Sequence, residues 1–157
     1  MVKTGIGYDV HHLEKGEELI IGGVKIDSPE GSVGHSDGDV LLHAIVDALL
    51  GAANLGDIGQ YFPSSDERWR GKESIHFLEH SISLVREQGF EIDHIDSTVI
   101  LEEPKLADII PEMIYKISYT LQIEESVVSI KATTTDKMGF IGRGEGVGAV
   151  AVATISK

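Results

Sequence analysis

Residues 35–57, HSDGDVLLHAIVDALLGAANLGD, join a polar loop to an apolar run, and this stretch decides the fold. Ser36 and Asp37 are both good helix N-caps, and Gly51 is typical of a helix end. The pattern therefore predicts a helix that begins near position 36 or 37 and ends near position 51.

Three ionisable side chains of this helix recur at every fourth residue. Asp39, His43 and Asp47 consequently share one helix face, beside the stripe of small apolar residues. His43 should therefore lie at the edge of the surface that packs on the rest of the protein.

The remaining elements follow from apolar spacing and from Gly and Pro positions. The apolar pattern indicates strands over residues 2–10, 19–21, 24–26, 91–101, 127–135 and 147–156. Helical spacing covers residues 75–85 and 106–121, and Pro111 either kinks the second helix or marks its first turn. This alternation predicts a single catalytic domain over residues 1–157 with an α/β fold (an α+β sandwich). A four-stranded mixed sheet would carry helices on one face, with a small N-terminal hairpin around Gly22-Gly23.

Composition and charge exclude several classes of protein. There are 13 Lys and Arg against 26 Asp and Glu, a formal charge of −13, which argues against a nucleic-acid partner. No apolar run approaches the roughly 20 residues of a membrane span, and no signal peptide is visible, so we expect a cytoplasmic protein with no membrane partner. Because there is no cysteine, His, Asp and Glu are the only strong metal ligands.

The segment YDVHH supplies two candidate ligands. Asp9 and His11 lie two apart in a strand, so they share a face with Cα atoms roughly 6.5 Å apart. Together with His43 they make a typical catalytic Zn²⁺ set, two imidazoles and a carboxylate with one position open for substrate. Asp39 or Asp47 would orient His43 as a hydrogen-bond partner.

Two further segments suit anionic ligands. His35 and Ser36 precede a helix N-terminus, where free N–H groups favour phosphate. The run KATTTDK, residues 131–137, ends a strand with three hydroxyls and an acid, which suits a metal-bound polyphosphate. The glycines of GFIGRGEG precede a strand rather than a helix, which excludes NAD binding, and Arg143 and Glu145 there form a tight charged turn.

Four motifs in order, GIGYDVHHL, HSDGDVLLHAIVDALLGAANLGDIGQYFPSSD, EEPKL and KATTTDKMGFIGRGEG, resemble 2-C-methyl-D-erythritol 2,4-cyclodiphosphate synthases. The resemblance covers nearly the whole chain. It implies a lyase of the non-mevalonate isoprenoid pathway that cyclises a cytidine diphosphate derivative of methylerythritol 2-phosphate and releases CMP. It also implies a homotrimer whose active sites lie between neighbouring subunits.

The resemblance assigns roles to individual residues. It implies Zn²⁺ at Asp9, His11 and His43, and a second metal, Mg²⁺ or Mn²⁺, at Asp136. The family commonly has Glu at that last position, so the shorter Asp136 would bind its metal through water or at a shifted place. The catalytic residues implied are His35 and Thr134, which steady the transition state.

The same resemblance implies a set of substrate contacts. Phosphate and sugar contacts fall on Asp9, His11, His35, Ser36, Asp57, Ile58 and Gly59, and a flexible substrate loop on Phe62, Pro63, Ser64, Ser65 and Asp66. The cytidine pocket falls on Leu101, Pro104, Lys105, Leu106 and Ala107, with Ala132, Thr133 and Thr134 from the neighbouring subunit, and the further substrate contacts are Thr135 and Asp136. Phe140 and Arg143 would line a cavity on the three-fold axis.

Other readings remain open from the residues alone. The same metal trio suits a phosphoesterase that uses water as its nucleophile. A metal-binding or nucleotide-binding assembly protein without catalysis is a third reading. A further hypothesis is that Phe140 and Arg143 bind a prenyl diphosphate in the axial cavity.

Overall fold

The computed structural model describes residues 1–157, and its centre is a five-stranded mixed sheet. The strands, in chain order, are β1 (Val2–Lys15), β4 (Glu30–Val33), β5 (Glu91–Ile100), β6 (Val128–Thr133) and β7 (Gly146–Ser156). Their order in the sheet is β4-β1-β7-β5-β6. Only β5 and β6 pair in parallel.

The predicted count of four strands is wrong by one. The extra strand is β4, which pairs antiparallel with the last residues of β1, from His12 opposite Val33 to Lys15 opposite Glu30. Its sequence EGSV has no apolar alternation, so nothing local marks it as a strand. It forms because β1 continues to Lys15, five residues beyond the predicted end, and offers an edge to pair with.

Helices cover one face of the sheet, as predicted. They are α1 (Val40–Ala52), α2 (Ile58–Tyr61), α3 (Ile75–Glu87), α4 (Ile110–Leu121) and α5 (Gly139–Gly142). α1 lies directly on β1, so close that an added Cβ at Gly7 would sit 1.8 Å from the Ala44 carbonyl oxygen. Glycine in β1 therefore sets how closely α1 approaches the sheet.

Helix starts differ from the predictions in an informative way. α1 begins after Asp39, so neither Ser36 nor Asp37 is its N-cap. The Asp39 carboxylate accepts hydrogen bonds from Leu42 N, from Gly22 N and from Gly23 N. Burial raises the pKa of Asp39 to about 6. This one carboxylate therefore caps α1 and also fixes the predicted hairpin between β2 (Leu19–Ile21) and β3 (Val24–Ile26).

The start of α4 and the second face of the sheet complete the architecture. Pro111 lies in the first turn of α4 and does not kink it. The sheet face opposite the helices is open, with Ile6 70% and Tyr8 62% exposed beside Val152. No helix combines the length and the apolar character that a membrane span requires.

Candidate active site

Three metal-ligand side chains converge where β1 meets α1. Asp9 and His11 face the helix from alternate positions of β1, and His43 reaches them from the first turns of α1. Asp9 Oδ2 lies 2.8 Å from His11 Nε2 and 3.1 Å from His43 Nδ1, and the two ring nitrogens are 3.2 Å apart. Donor atoms of a tetrahedral Zn²⁺ site stand about 3.3 Å from each other. The trio predicted from spacing is therefore assembled at nearly that separation.

The charges of the trio support one another. Burial works against ionisation of Asp9, but hydrogen bonds from His11 and His43 outweigh it and hold the pKa of Asp9 below its usual value. Burial also works against a charged His11, but its hydrogen bond with Asp9 and the Asp9 charge raise the pKa of His11. The site is thus arranged around a persistent negative charge, which suits a cation.

Each imidazole ring is oriented by a hydrogen bond at the nitrogen that faces away from the other two ligands. Nδ1 of His11 lies 3.0 Å from the Val33 carbonyl, so it donates its proton there and leaves Nε2 for a metal. Nε2 of His43 lies 2.8 Å from Ser74 Oγ and 3.2 Å from Ser36 Oγ. The two histidines thus present opposite nitrogens to the same point.

The predicted partners of His43 are wrong. Asp39 is fully buried under the hairpin, and Asp47 accepts the backbone N–H of Ile58 at 2.7 Å. Side chains four residues apart share a helix face and are close enough to interact. Here backbone N–H groups of other segments bind the two carboxylates instead, so neither carboxylate hydrogen-bonds to His43. Ser74 was not predicted as the hydrogen-bond partner of His43, although it lies directly before the helix predicted from residue 75.

An aromatic wall encloses the trio. A cavity of about 160 Å³ is lined by His11, His35, Ser36, His43, Ile58, Phe62, Ser64, Trp69 and Phe77. The Phe62 ring stacks on the Phe77 ring with 4.4 Å between ring centroids, and it meets the Trp69 ring edge-on with 4.9 Å between centroids. Sequence reasoning missed Trp69 and Phe77, because apolar spacing alone does not separate a cavity wall from a core.

The other residues predicted near this cavity lie at its margin. Asp57 is the N-cap of α2 and accepts the Gln60 N–H at 3.1 Å. Nε2 of His35 lies 3.5 Å from the Asp66 carbonyl oxygen, which places the predicted loop beside the histidine. The remaining predicted positions, Gly59, Pro63 and Ser65, do not line the cavity.

A second cavity, of about 170 Å³, lies at the carboxyl ends of the parallel strands β5 and β6. It is lined by Leu101, Pro104, Lys105, Leu106, Ala107, Ile110, Ala132, Thr133 and Thr134. Leu101 N donates to the Thr133 carbonyl at 3.0 Å, which joins the two segments that line the cavity. All eight predicted residues among these come from one chain, so this cavity needs no second subunit to bring the two segments together.

The loop after β6 is held from below by Glu102. Its carboxylate accepts Thr135 N at 3.3 Å and Lys137 N at 3.1 Å. Asp136, between them, adopts φ 51° and points its exposed carboxylate outward, 3.5 Å from Thr134 Oγ1. Glu102 therefore shapes the loop through backbone groups.

Two sites on one chain are far apart. Sheet register aligns Asp9 with Ala149, Ala149 with Val99 and Val99 with Ala132. Three strand spacings separate the ends of this row, about 14 Å. The metal trio and the second cavity therefore lie on strands that are three positions apart in the sheet.

Phe140 and Arg143 lie on and just after α5. The Arg143 guanidinium pairs with Glu145 at 2.9 Å, which is the predicted charged turn. Phe140 is 42% exposed. Arg143 also borders a cavity of about 240 Å³ together with Glu102 and Glu103.

Comparisons with known proteins agree on one family. The family model described as the YgbB family matches residues 2–156. The chain is 48% identical over 156 residues to a 2-C-methyl-D-erythritol 2,4-cyclodiphosphate synthase of Alkaliphilus oremlandii, covering 99% of both proteins. It is 50% identical to the bifunctional enzyme IspD/IspF of Erythrobacter litoralis, of which it spans 40%. It also resembles the solved CDP complex of IspF from Plasmodium falciparum, with TM-score 0.86 and 34% identity over 98% of this chain and 95% of that one.

Proposed function

The chain belongs to the YgbB family, and on that premise we propose that it is a 2-C-methyl-D-erythritol 2,4-cyclodiphosphate synthase. Its substrate would be 4-diphosphocytidyl-2-C-methyl-D-erythritol 2-phosphate, and its products the cyclic diphosphate and CMP, in the non-mevalonate isoprenoid pathway of the cytoplasm. The observation that carries the proposal is the convergence of Asp9, His11 and His43 beside a cavity.

The reaction is a ring closure within one molecule. An oxygen of the substrate's own 2-phosphate attacks the β-phosphorus and forms a new P–O bond. The bond from that phosphorus to the bridging oxygen breaks, and CMP leaves with the oxygen. A phosphate monoester is already largely dianionic at neutral pH, so no general base is needed. Correct orientation alone can contribute about 7–11 kcal/mol.

Cations are needed because the protein and its substrate are both anionic. With a net charge of −13, the overall field repels a diphosphate. Asp9, His11 and His43 would hold Zn²⁺, and Asp136 would hold Mg²⁺ or Mn²⁺. When bound, these ions supply Lewis-acid stabilisation and a template for the phosphates. Two imidazoles and one carboxylate fit Zn²⁺, and the lone exposed carboxylate fits a hydrated hard cation.

The chain's own side chains then position the substrate. His35 and Ser36 line the metal-side cavity and would hydrogen-bond phosphate, while Thr134 and Lys105 in the second cavity would meet the CMP end. Phe62, packed among aromatic rings, anchors the substrate loop and excludes the water that would give a linear product.

A homotrimer would join the two halves of the site. The roughly 14 Å between trio and second cavity within one chain favours a site built from the trio of one subunit and the cavity of its neighbour. The open sheet face, with Ile6, Tyr8 and Val152 exposed, is an apolar surface that a partner copy would cover.

The axial cavity beside Phe140 and Arg143 would then accept a prenyl diphosphate, and a binding titration unaffected by Arg143→Ala would count against that ligand.

The decisive experiment follows substrate turnover in ¹⁸O-labelled water with Zn²⁺ and Mg²⁺ present. We expect cyclic product and CMP without label. Label in CMP or in a linear diphosphate would identify a phosphoesterase instead, and no turnover at all would leave only a binding protein.

Variants then separate the two metals. His43→Ala should abolish turnover and remove Zn²⁺ while the protein stays folded, whereas His76→Ala, an exposed histidine paired with Glu79, should change neither. Asp136→Ala should keep Zn²⁺ and lose most of the rate. A His43→Ala protein with normal activity and zinc content would remove the metal assignment.

A further inference from the structure

His43 is the start of a hydrogen-bond chain that leads away from the metal centre. Its Nδ1 faces Asp9 and His11, so its proton must lie on Nε2 when a cation occupies the trio. That Nε2 lies 2.8 Å from Ser74 Oγ. The serine hydroxyl thus accepts from the imidazole and has its own proton free to give.

The Ser74 hydroxyl donates its own hydrogen bond to a carboxylate. Its Oγ donates to Asp37 Oδ1, and its backbone N donates to Asp37 Oδ2 at 2.9 Å. Ser74 is fully buried, and Asp37 is partly shielded. Every donor in the sequence His43–Ser74–Asp37 therefore points the same way and ends on a negative charge.

Ser74 gives up another role to make these bonds. It stands at the N-cap position of α3, where a serine hydroxyl ordinarily accepts a backbone N–H of the first turn. Here it forms no such bond, and its backbone is helical, φ −63° and ψ −17°. The hydroxyl is directed to His43 and Asp37 instead, which a purely structural cap does not require.

We propose that Ser74 and Asp37 are positioning residues of the metal centre, which hold the proton of His43 on Nε2 and keep Nδ1 directed at the cation. This inference rests on the proposed Zn²⁺ site. Groups that orient a metal-bound histidine in this way commonly change metal affinity by about 10- to 100-fold. Val33, which accepts from Nδ1 of His11, does the same through its backbone.

The test measures Zn²⁺ affinity by competition with a chromophoric chelator. Ser74→Ala and Asp37→Asn should each weaken binding, by about 10- to 100-fold for Ser74→Ala and less for Asp37→Asn, which keeps an acceptor oxygen. Ser36 Oγ lies 3.2 Å from the same nitrogen and could replace Ser74, so the double variant Ser36→Ala, Ser74→Ala removes both hydroxyls. Ser81→Ala is the matched control, because Ser81 is equally buried in α3 but bonds only the Phe77 carbonyl.

A spectroscopic readout separates positioning from support of the fold. Nitrogen-15 NMR of the zinc-loaded protein should show the Nε2–H proton of His43 protected from exchange with water in the parent protein and exchanging faster in the double variant. Unchanged affinity and an unchanged exchange rate in the double variant would overturn the proposal, as would an equal loss of affinity in Ser81→Ala. If the parent protein binds Zn²⁺ no better than His43→Ala does, the metal site itself is at fault and the proposed function fails first.

Discussion

A proton and a cation compete for Nε2 of His11, because that nitrogen faces both Asp9 and His43. The pKa of His11 is raised, so in metal-free protein the charged imidazole adds stability that is complete below its ordinary pKa of about 6.5. This contribution is lost as pH rises through the raised value. Zn²⁺ binds only neutral imidazole, and its binding must release the proton.

The stabilisation of the protein by Zn²⁺ should therefore grow with pH. We expect the zinc-induced increase in Tm to be clearly smaller at about pH 6 than at about pH 8, at constant free zinc. Thermal unfolding followed by circular dichroism measures it, with His76→Ala as a control that behaves like the parent. An increase in Tm that is the same at both pH values would contradict proton competition at this site.

Residue-scale prediction worked where regular geometry determines direction. Strand alternation placed Asp9 and His11 on one face, and helix spacing placed His43 at the edge of the packed face. Trp69 was not found, because no apolar periodicity marks it as part of a cavity wall. Ser74 was not found, because it reaches His43 through a tertiary contact across 31 residues of chain. No local pattern encodes such a contact.

At the scale of elements, the distance between β1 and α1 decides whether the trio can form. Gly5 and Gly7 let the helix backbone approach, since added Cβ atoms would sit 2.1 Å from the Ala48 oxygen and 1.8 Å from the Ala44 oxygen. Ala44 is next to His43 in the helix. Any shift of α1 away from the strand therefore moves His43 away from Asp9 and His11.

Gly7→Ala should uncouple the trio without changing any ligand. We expect it to lower the free energy of unfolding by about 3 kcal/mol, because the backbone must shift to admit the methyl group, and to weaken Zn²⁺ binding. Gly51→Ala is the control: nothing lies within 4 Å of its added Cβ, so it should raise stability by roughly 0.5–1 kcal/mol and leave zinc binding unchanged. Denaturant unfolding and chelator competition give both quantities, and full zinc affinity in Gly7→Ala would show that the helix position is not limiting.

Whether an element could be predicted depends on whether its own residues carry the pattern that forms it. The hairpin, α1, α3, α4 and four sheet strands carry their own apolar periodicity or glycine signals, whereas the four-residue helices α2 and α5 are too short to show one and were not predicted. β4 carries none, since its pairing depends on how far β1 extends, and α1 starts at Asp39 because the hairpin amides claim that carboxylate. Boundaries that depend on a distant partner are outside the reach of sequence pattern.

At the scale of the whole molecule, the open sheet face should be the contact between subunits. Ile6 and Val152 are paired across β1 and β7 on that face. A lysine there would bury an unpaired charge in the assembly. Ile6→Lys should therefore reduce the proposed trimer to monomers, whereas Tyr119→Lys, at a side chain that is 74% exposed on the helical side, should not. Light scattering after gel filtration measures the mass, and a trimer that survives Ile6→Lys would place the interface elsewhere.

Mixed assemblies test whether active sites are shared between chains. His43→Ala should inactivate the trio and Asp136→Ala should disable the loop after β6, so the first homotrimer should be inactive and the second should keep little of the rate. In a closed ring of three subunits, any mixture of the two variants contains one junction where an intact trio faces an intact loop. Doubly tagged mixed trimers should therefore recover about one third of the parent activity. Because that junction exists only if the two halves come from different chains, mixed trimers as inactive as the homotrimers would place each active site within a single chain.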